Sequence, residues 1–553
     1  MGKRSKKSGG DAIAELREHG EVRSAVTLLV VFGDQLDRGH PGLAMLEKDA
    51  DAVLMMEVDA ETEEGPSHKA RTALFFAAMR HYGKWLVDGG YRVRYVTVDH
   101  KENTQSFDGE VGRAVEALGP ARIVVMRPGD WRVMEMVEGW EGAFGVEVEV
   151  LEDPHFLTTP AEFSEWADGR KQLTMEYWYR ERRRAHGYLM DGKGKPVGGE
   201  WNYDKDNRES FDRSPKVKRP YRPRVDGVVS EVIELVNARY GDAPGVLDEK
   251  RFVWPVTREQ ALRALDDFVE NRLDMFGPYE DAMWDGEWFL YHSALSSALN
   301  LHLLDPRECC EKAIAAYEAG KARLNSVEGF VRQLIGWREY IRGVYWHEGA
   351  GYRDRNFLDQ HGKLPGFYWD GESDMRCVSE CAGSVVEHGW SHHIPRLMVL
   401  ANFAMIAGVG PRAIGDWFYG MYVDSVDWAT TPNTIGMGMH CDGVRGKGGN
   451  VERLPVVGTK PYAASGKYID RMSNYCGSCA YNVKKRTGED ACPFNVFYWD
   501  FLIRNRELFS KNQRMNMIVG GLKKWSDGQI TEITVSADRL RERMGIGAIG
   551  GAA

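Results

Sequence analysis

Strand signals in this chain stop at residue 151, and that change of texture constrains the fold more than any single motif. Before it, short apolar runs recur with helical stretches between them: Val26–Phe32, Val53–Val58, Tyr91–Val98, Ile123–Met126 and Val146–Leu151. Val26–Phe32 is continuous and rich in β-branched residues, which fits a strand buried on both faces. Lys69–Leu86 and Glu110–Leu118 have helical spacing, and a further helix precedes the last strand. The alternation predicts a Rossmann-like, doubly wound parallel sheet over residues 26–151. From Thr257 onward helical periods take over: Glu259–Asn271, Ser293–Leu304, Pro306–Glu318, Glu328–Tyr345, Ser384–Ala407, Pro411–Tyr422 and Cys492–Asn505. The fold class expected is α/β plus all-α, with the helical domain over residues 251–525.

Residues 152–250 join the two, and they are too many for a simple loop, so they should carry some helix and a functional surface. This linker is basic in places. Arg180 to Arg184 holds four arginines around one Glu, and Lys216, Lys218, Arg219, Arg222 and Arg224 form a run without an acid. Such runs can neutralise phosphates, although a solvated helix face and a basic connection account for them equally. The net charge of −10 argues against non-specific nucleic-acid binding over the whole surface. Residues 1–25 read as a disordered basic tail and 526–553 as a C-terminal tail. With no apolar run of bilayer length and no secretory signal, the expectation is a cytoplasmic protein without a membrane partner.

Cysteine spacing carries the first chemistry. Cys476-Gly-Ser-Cys479 places two thiolates within reach of one metal centre, Cys492-Pro493 adds a third, and Cys377 is a distant fourth. Iron–sulfur sites and tetrahedral zinc use the same ligands, so spacing leaves the metal open. In the α/β part, Gly33-Asp34-Gln35 and Glu57 follow the first two strands, where a doubly wound sheet binds ligands. Within residues 26–151 neither GxGxxG nor GxxxxGK[ST] occurs, so a dinucleotide or P-loop site is not expected in this domain. Asp34 reads equally well as a helix N-cap. Ser293, Ser296 and Ser297, at the start of an apolar helix, suit a diphosphate, although capping explains any one of them.

Several blocks resemble the photolyase/cryptochrome family. They include Phe276-Gly-Pro-Tyr-Glu-Asp-Ala-Met283, Phe330-Val-Arg-Gln-Leu-Ile-Gly-Trp-Arg-Glu339 and Ser391-His-His-Ile-Pro-Arg-Leu-Met398. Gly33-Asp-Gln-Leu36, Trp201-Asn-Tyr-Asp204, Asp374-Met-Arg-Cys377, Pro432-Asn-Thr-Ile-Gly-Met437 and Cys492-Pro-Phe-Asn495 are similar to its bacterial iron–sulfur (6-4) photolyase and related cryptochrome branch. The resemblance spans residues 26 to about 525.

That resemblance implies FAD held among Tyr279, His292, Ser293, Leu295, Ser296, Gln333, Trp337, Arg338, Arg396, Asn402, Asp424 and Asn433. It implies a 4Fe-4S cluster on Cys377, Cys476, Cys479 and Cys492, with Cys381 and Cys441 as nearby competitors and Cys309 and Cys310 as packing residues. A 6,7-dimethyl-8-ribityllumazine antenna would sit at Gly33, Asp34, Gln35 and Glu57, although the segment Val58–Pro66 is less aromatic than the branch leads one to expect. Trp417 and Trp369 match a photoreduction chain, with Phe418 where a redox-active Tyr is expected. Mg2+ at Asp204 and Asp206 would bridge to phosphate.

The activity implied is light-driven repair of (6-4) photoproducts by a monomer acting on UV-damaged DNA. His392 and His393 are the proton-transfer candidates, with His393 favoured because it lies three residues before Arg396. Tyr462 and Tyr468 would contact the lesion. A cryptochrome-type photoreceptor with the same cofactors, or a zinc-stabilised nucleic-acid-binding module, are the alternatives.

Overall fold

The computed structural model describes residues 22–63, 65–446 and 450–549, together with Leu16. Most of the expected basic tail and the last four residues, 550–553, lie outside that description. Five strands form an all-parallel sheet in the order β3-β2-β1-β4-β5: β1 (Thr27–Val30), β2 (Ala52–Met56), β3 (Val93–Val96), β4 (Arg122–Met126) and β5 (Glu147–Leu151). This is the doubly wound arrangement that the alternation predicts.

The apolar run of β1 is explained by two covered faces. Leu29 and Val31 pack with α1 (Lys69–Asp88) and onward into the main core. Leu28 and Val30 pack beneath α2 (Phe107–Leu118) and α3 (Trp131–Phe144). Side chains with a period of two therefore feed separate cores, and neither face meets water. Side-chain acceptors start each helix: His68 for α1, Ser106 for α2 and Asp130 for α3.

After β5 the regular elements among the described residues are helical, apart from a short antiparallel strand pair, Val444–Arg445 with Val451–Arg453, that the sequence pattern does not announce. Two further differences bear on the site. The expected helix Ser293–Leu304 is reduced to Ser296–Asn300, because Ala294 (φ 53°) and His302 (φ 59°) adopt left-handed backbone at either end. The expected helix Ser384–Ala407 is two pieces. Arg376–His388 ends at Gly389 in the left-handed conformation, and helix resumes just before Pro395.

The segment read as a C-terminal tail is helical over Asp527–Arg543, opened by a Ser526–Gln529 capping box. It packs on the helix Pro493–Arg504, and its buried Arg541 pairs with the buried Asp500. Among the described residues no helix is long and apolar enough to cross a membrane.

Candidate functional site

Three stretches of the helical region are π-helical: Arg332–Arg338, Pro395–Ala401 and Pro432–Gly438. All three contribute side chains to one cavity of about 520 Å³. Inserting a residue into a helix turns neighbouring side chains out of register, and such insertions gather at functional sites. The volume falls in the range of small-molecule and cofactor sites, roughly 300–1,000 Å³.

Nine of the residues assigned to FAD by resemblance line this cavity: His292, Ser293, Ser296, Gln333, Trp337, Arg338, Arg396, Asp424 and Asn433. Arg396 grips Asp424 at two points, with Nη1 and Nη2 at 3.1 and 2.8 Å from its oxygens, and its guanidinium lies over Tyr422. Arg338 is buried against Phe156 and Trp428 and reaches His155 Nδ1 at 2.8 Å, while its Nε has no hydrogen-bond partner. Burial lowers its pKa to about 10.

Three assigned residues are placed elsewhere. Tyr279 stacks on Phe211 at 4.2 Å, off the cavity lining. Leu295 is fully buried in the core. Asn402 spends both ends of its amide on Ala464 and also donates to the Met398 carbonyl, so it holds the loop that follows Tyr462.

Three histidines stand together on the cavity wall. His392 is buried and stacks on His292 at 4.0 Å, whereas the ring of His393 is 42% exposed. Burial pushes the His292 and His392 pKa values well down, with neighbouring histidines contributing, which keeps both rings neutral. His393 Nε2 lies 3.8 Å from Asp281 Oδ1, and the Tyr468 hydroxyl lies 3.5 Å from Asp281 Oδ2. Asp281 thus faces both a proposed proton donor and a proposed lesion contact. Tyr462 lines the cavity directly, and Tyr468 does not. Next to Asp281, buried Glu280 accepts from Gln333 and Asn207, and burial raises its pKa.

Sequence reasoning missed Glu280, Asp281, Arg332 and Trp390, all of which line the cavity. Both acids sit inside the Phe276–Met283 block, and Trp390 immediately precedes Ser391. Trp390 donates to Ser296 Oγ at 3.1 Å, and Trp288 and Trp254 pack behind it. Of the two assigned tryptophans, Trp417 is fully buried behind Phe418, which lines the cavity, and Trp369 is half-buried.

Cys377, Cys476, Cys479 and Cys492 converge on a second, very small cavity that Cys309, Cys310, Cys381 and Cys441 do not line. Gly466 gives them room: a Cβ there would stand 2.8 Å from Cys492 Sγ. Burial pushes the thiols of Cys377, Cys476 and Cys492 up, the last two to about 12 and about 11. Among the described residues no three of these sulfurs fall within 4.8 Å of one another. A tetrahedral zinc ion, with sulfurs at about 2.3 Å, would draw them to roughly 3.8 Å apart.

At the carboxyl ends of the strands, Gly33, Asp34 and Glu57 line a crevice of about 80 Å³. Gln35 is turned away, with its amide bonded to the carbonyls of Met126 and Arg127. Glu57 is consumed by Arg80, Tyr95 and the Val98 amide. Burial raises the Asp34 pKa to about 7. Two of the four assigned residues, Gln35 and Glu57, thus spend their side chains on protein partners.

Asp204 is likewise engaged, by the guanidinium of Arg332, which leaves a poor site for a divalent cation. In the basic linker, Arg183 is buried on the carbonyls of Tyr188, Leu189 and Trp201, so it is not available to phosphate. Lys216, Lys218, Arg219, Arg222 and Arg224 are exposed.

Comparison with known proteins follows the same lines. Residues 29–252 match the family model described as deoxyribodipyrimidine photo-lyase-related protein. A (6-4) photolyase of Agrobacterium fabrum is 45% identical over 490 residues, 88% of this chain and 94% of that protein. A class III photolyase from Agrobacterium tumefaciens shares the fold with a TM-score of 0.53 and 14% identity, over 95% of this chain and 99% of the other. A Synechocystis cryptochrome does so at 0.52 and 14%, over 77% and 84%.

Proposed function

Because the chain belongs to the photolyase/cryptochrome family, in the branch of the (6-4) photolyases, we propose that it repairs (6-4) pyrimidine–pyrimidone photoproducts in UV-damaged DNA with light. The observation that carries this reading is the half-exposed His393 beside Asp281, at the wall of a cofactor-sized cavity.

The donor set suits FAD. His292, Ser293, Ser296, Gln333, Trp337, Arg338 and Asn433 would hold it, and the orphaned Arg338 Nε is a buried donor in want of an acceptor. Bound there, FAD supplies the light-excited electron donor. The Arg396–Asp424 pair offers a fixed positive charge whose orientation costs nothing at the moment of reaction.

A lesion base must be flipped from the duplex to reach the cavity, and the exposed basic run from Lys216 to Arg224 is suited to hold the flanking phosphates. Return of the transferred group between the two bases needs a proton delivered and recovered. His393 Nε2 is the atom for that task, because it is reachable from outside and has the Asp281 carboxylate to face its charged form. His392, buried and kept neutral, orients its neighbour rather than titrating.

Cys377, Cys476, Cys479 and Cys492 would hold a 4Fe-4S cluster, a reading supported by the convergence of all four on one small cavity. None of the eight cysteines is paired in a disulfide, as suits the reducing cytoplasm in which we place the chain. An antenna would sit beside Gly33 and Asp34 in the crevice at the strand ends, whereas Asp204 is already engaged by Arg332 and offers little to Mg2+. Synthetic duplexes carrying one (6-4) product or one cyclobutane dimer test the reading: blue light should restore the first and leave the second, with no repair in the dark.

A further inference from the structure

One nitrogen each from His292, His392 and His393 lies within 4.8 Å of the other two. His292 and His392 stack with 16° between their planes, and His393 meets His292 edge-on at 5.4 Å. His292 Nε2 and His392 Nδ1 are both buried and without a hydrogen-bond partner. An unmade hydrogen bond of this kind costs about 1–3 kcal/mol, so each of these nitrogens calls for a partner, and the stacked rings carry them in the same part of the cavity wall. The backbone is held for it. Leu290 (φ 45°) and Ala294 (φ 53°) are left-handed on either side of His292, a conformation costing roughly 1–2 kcal/mol for a non-glycine residue. Burial keeps the two inner rings neutral, which is the form that donates a lone pair to a metal.

Negative charge stands on the open side. Asp281 faces His393, and Glu280, held by Asn207 and Gln333, lies next to it in the chain. All three histidines line the large cavity, so the cluster is reachable from it.

We propose that His292, His392 and His393 form a binding site for a borderline divalent cation of the zinc class, and that the bound cation blocks repair by withdrawing the imidazoles from proton transfer. Only the second clause rests on the assigned reaction. Three imidazoles around zinc at about 2.0–2.1 Å form an established catalytic-type donor set with one open position. Contraction to that spacing is small, and half-exposed His393 is the ring free to make it. Imidazole nitrogen favours zinc and copper over magnesium, which prefers oxygen, so ion preference separates this site from a carboxylate one.

The test is calorimetric titration of the full-length purified protein with Zn2+ and with Mg2+, beside His292→Gln and His393→Ala. The site predicts one Zn2+ per chain, not displaced by a hundredfold excess of Mg2+, and binding at least tenfold weaker in each variant. His393→Ala removes an exposed ring and should fold even if His292→Gln does not. Zinc-edge X-ray absorption of the loaded protein should show nitrogen neighbours near 2.0 Å. A sulfur shell near 2.3 Å, equal affinity for Mg2+, or unchanged affinity in both variants would overturn the proposal. If zinc binds through nitrogen while the protein repairs no lesion, the site stands and the assigned reaction falls.

Discussion

Arg396 and Asp424 face each other across 28 residues of chain and meet in a two-point ion pair in the cavity wall, at 3.1 and 2.8 Å. The aspartate side chain is nearly buried and the arginine 28% exposed, so the pair presents its positive end to the cavity. Hydrogen bonds to charged groups are worth about 1.5–3 kcal/mol, so Asp424→Asn should loosen the arginine and weaken flavin retention by ten- to a hundredfold. The flavin-to-protein ratio after gel filtration measures this, and an unchanged ratio counts against the assigned cofactor wall.

Iron content separates the four assigned cysteines from the rest. Cys479→Ser should abolish bound iron, because Cys479 lines the thiol cavity. Cys381→Ser should leave it intact, since Cys381 lies outside that cavity although it is buried nearby. Equal loss in both variants would show that iron reports general damage.

The sheet and the main helices were legible because periods of two and 3.6 report burial directly. The cysteine quartet was legible from spacing and resemblance together. What escaped was local. Nothing in Ser293–Leu304 announces that Ala294 and His302 take left-handed backbone, so a continuous helix was the natural reading. Asn402 and Gln35 carry side chains that suit a ligand, yet both are spent on backbone carbonyls that a sequence cannot place. Asp281 lay within a recognised block, but its position between His393 and Tyr468 depends on a fold that joins segments more than 100 residues apart. The C-terminal helix was missed because its apolar stripe is thin, with Ile533 and Ala537 the hydrophobic side chains it buries.

That helix is held by a buried charge. Arg541 pairs with Asp500, which also accepts from Arg504 Nε at 2.8 Å. Breaking a buried ion pair by removing one partner costs about 3–5 kcal/mol. Arg541→Met should therefore lower the melting temperature by several degrees, and truncation after Trp525 should lower it further. Truncation without thermal cost would return the segment to the status of a tail.

Acid should weaken the fold through histidines remote from the cavity. His68 caps α1 through Nδ1, and its Nε2–H donates to the Val386 carbonyl at 3.0 Å. Burial lowers its pKa from 6.5 to about 4, as it does for His40. Above pH 6.5 neither state binds the extra proton. Between 6.5 and 4 the unfolded chain takes it and the folded chain refuses, so stability falls with pH by about 1.4 kcal/mol per unit per group, levelling off near 4. The urea midpoint should drop from pH 7 to pH 5, and His68→Asn, which keeps a capping oxygen, should drop less. Equal slopes would show that His68 does not carry the acid sensitivity.

If His393 moves the proton in light-driven repair, removing its imidazole should stop repair and spare flavin binding. Wild type and His393→Ala, each with its flavin content measured, are illuminated on a duplex carrying a single (6-4) lesion. Wild type should repair fully, and the variant should lose at least a hundredfold with flavin and DNA binding retained, a typical general-acid contribution being about 10²–10⁴-fold. Repair by His393→Ala at the wild-type rate would contradict it.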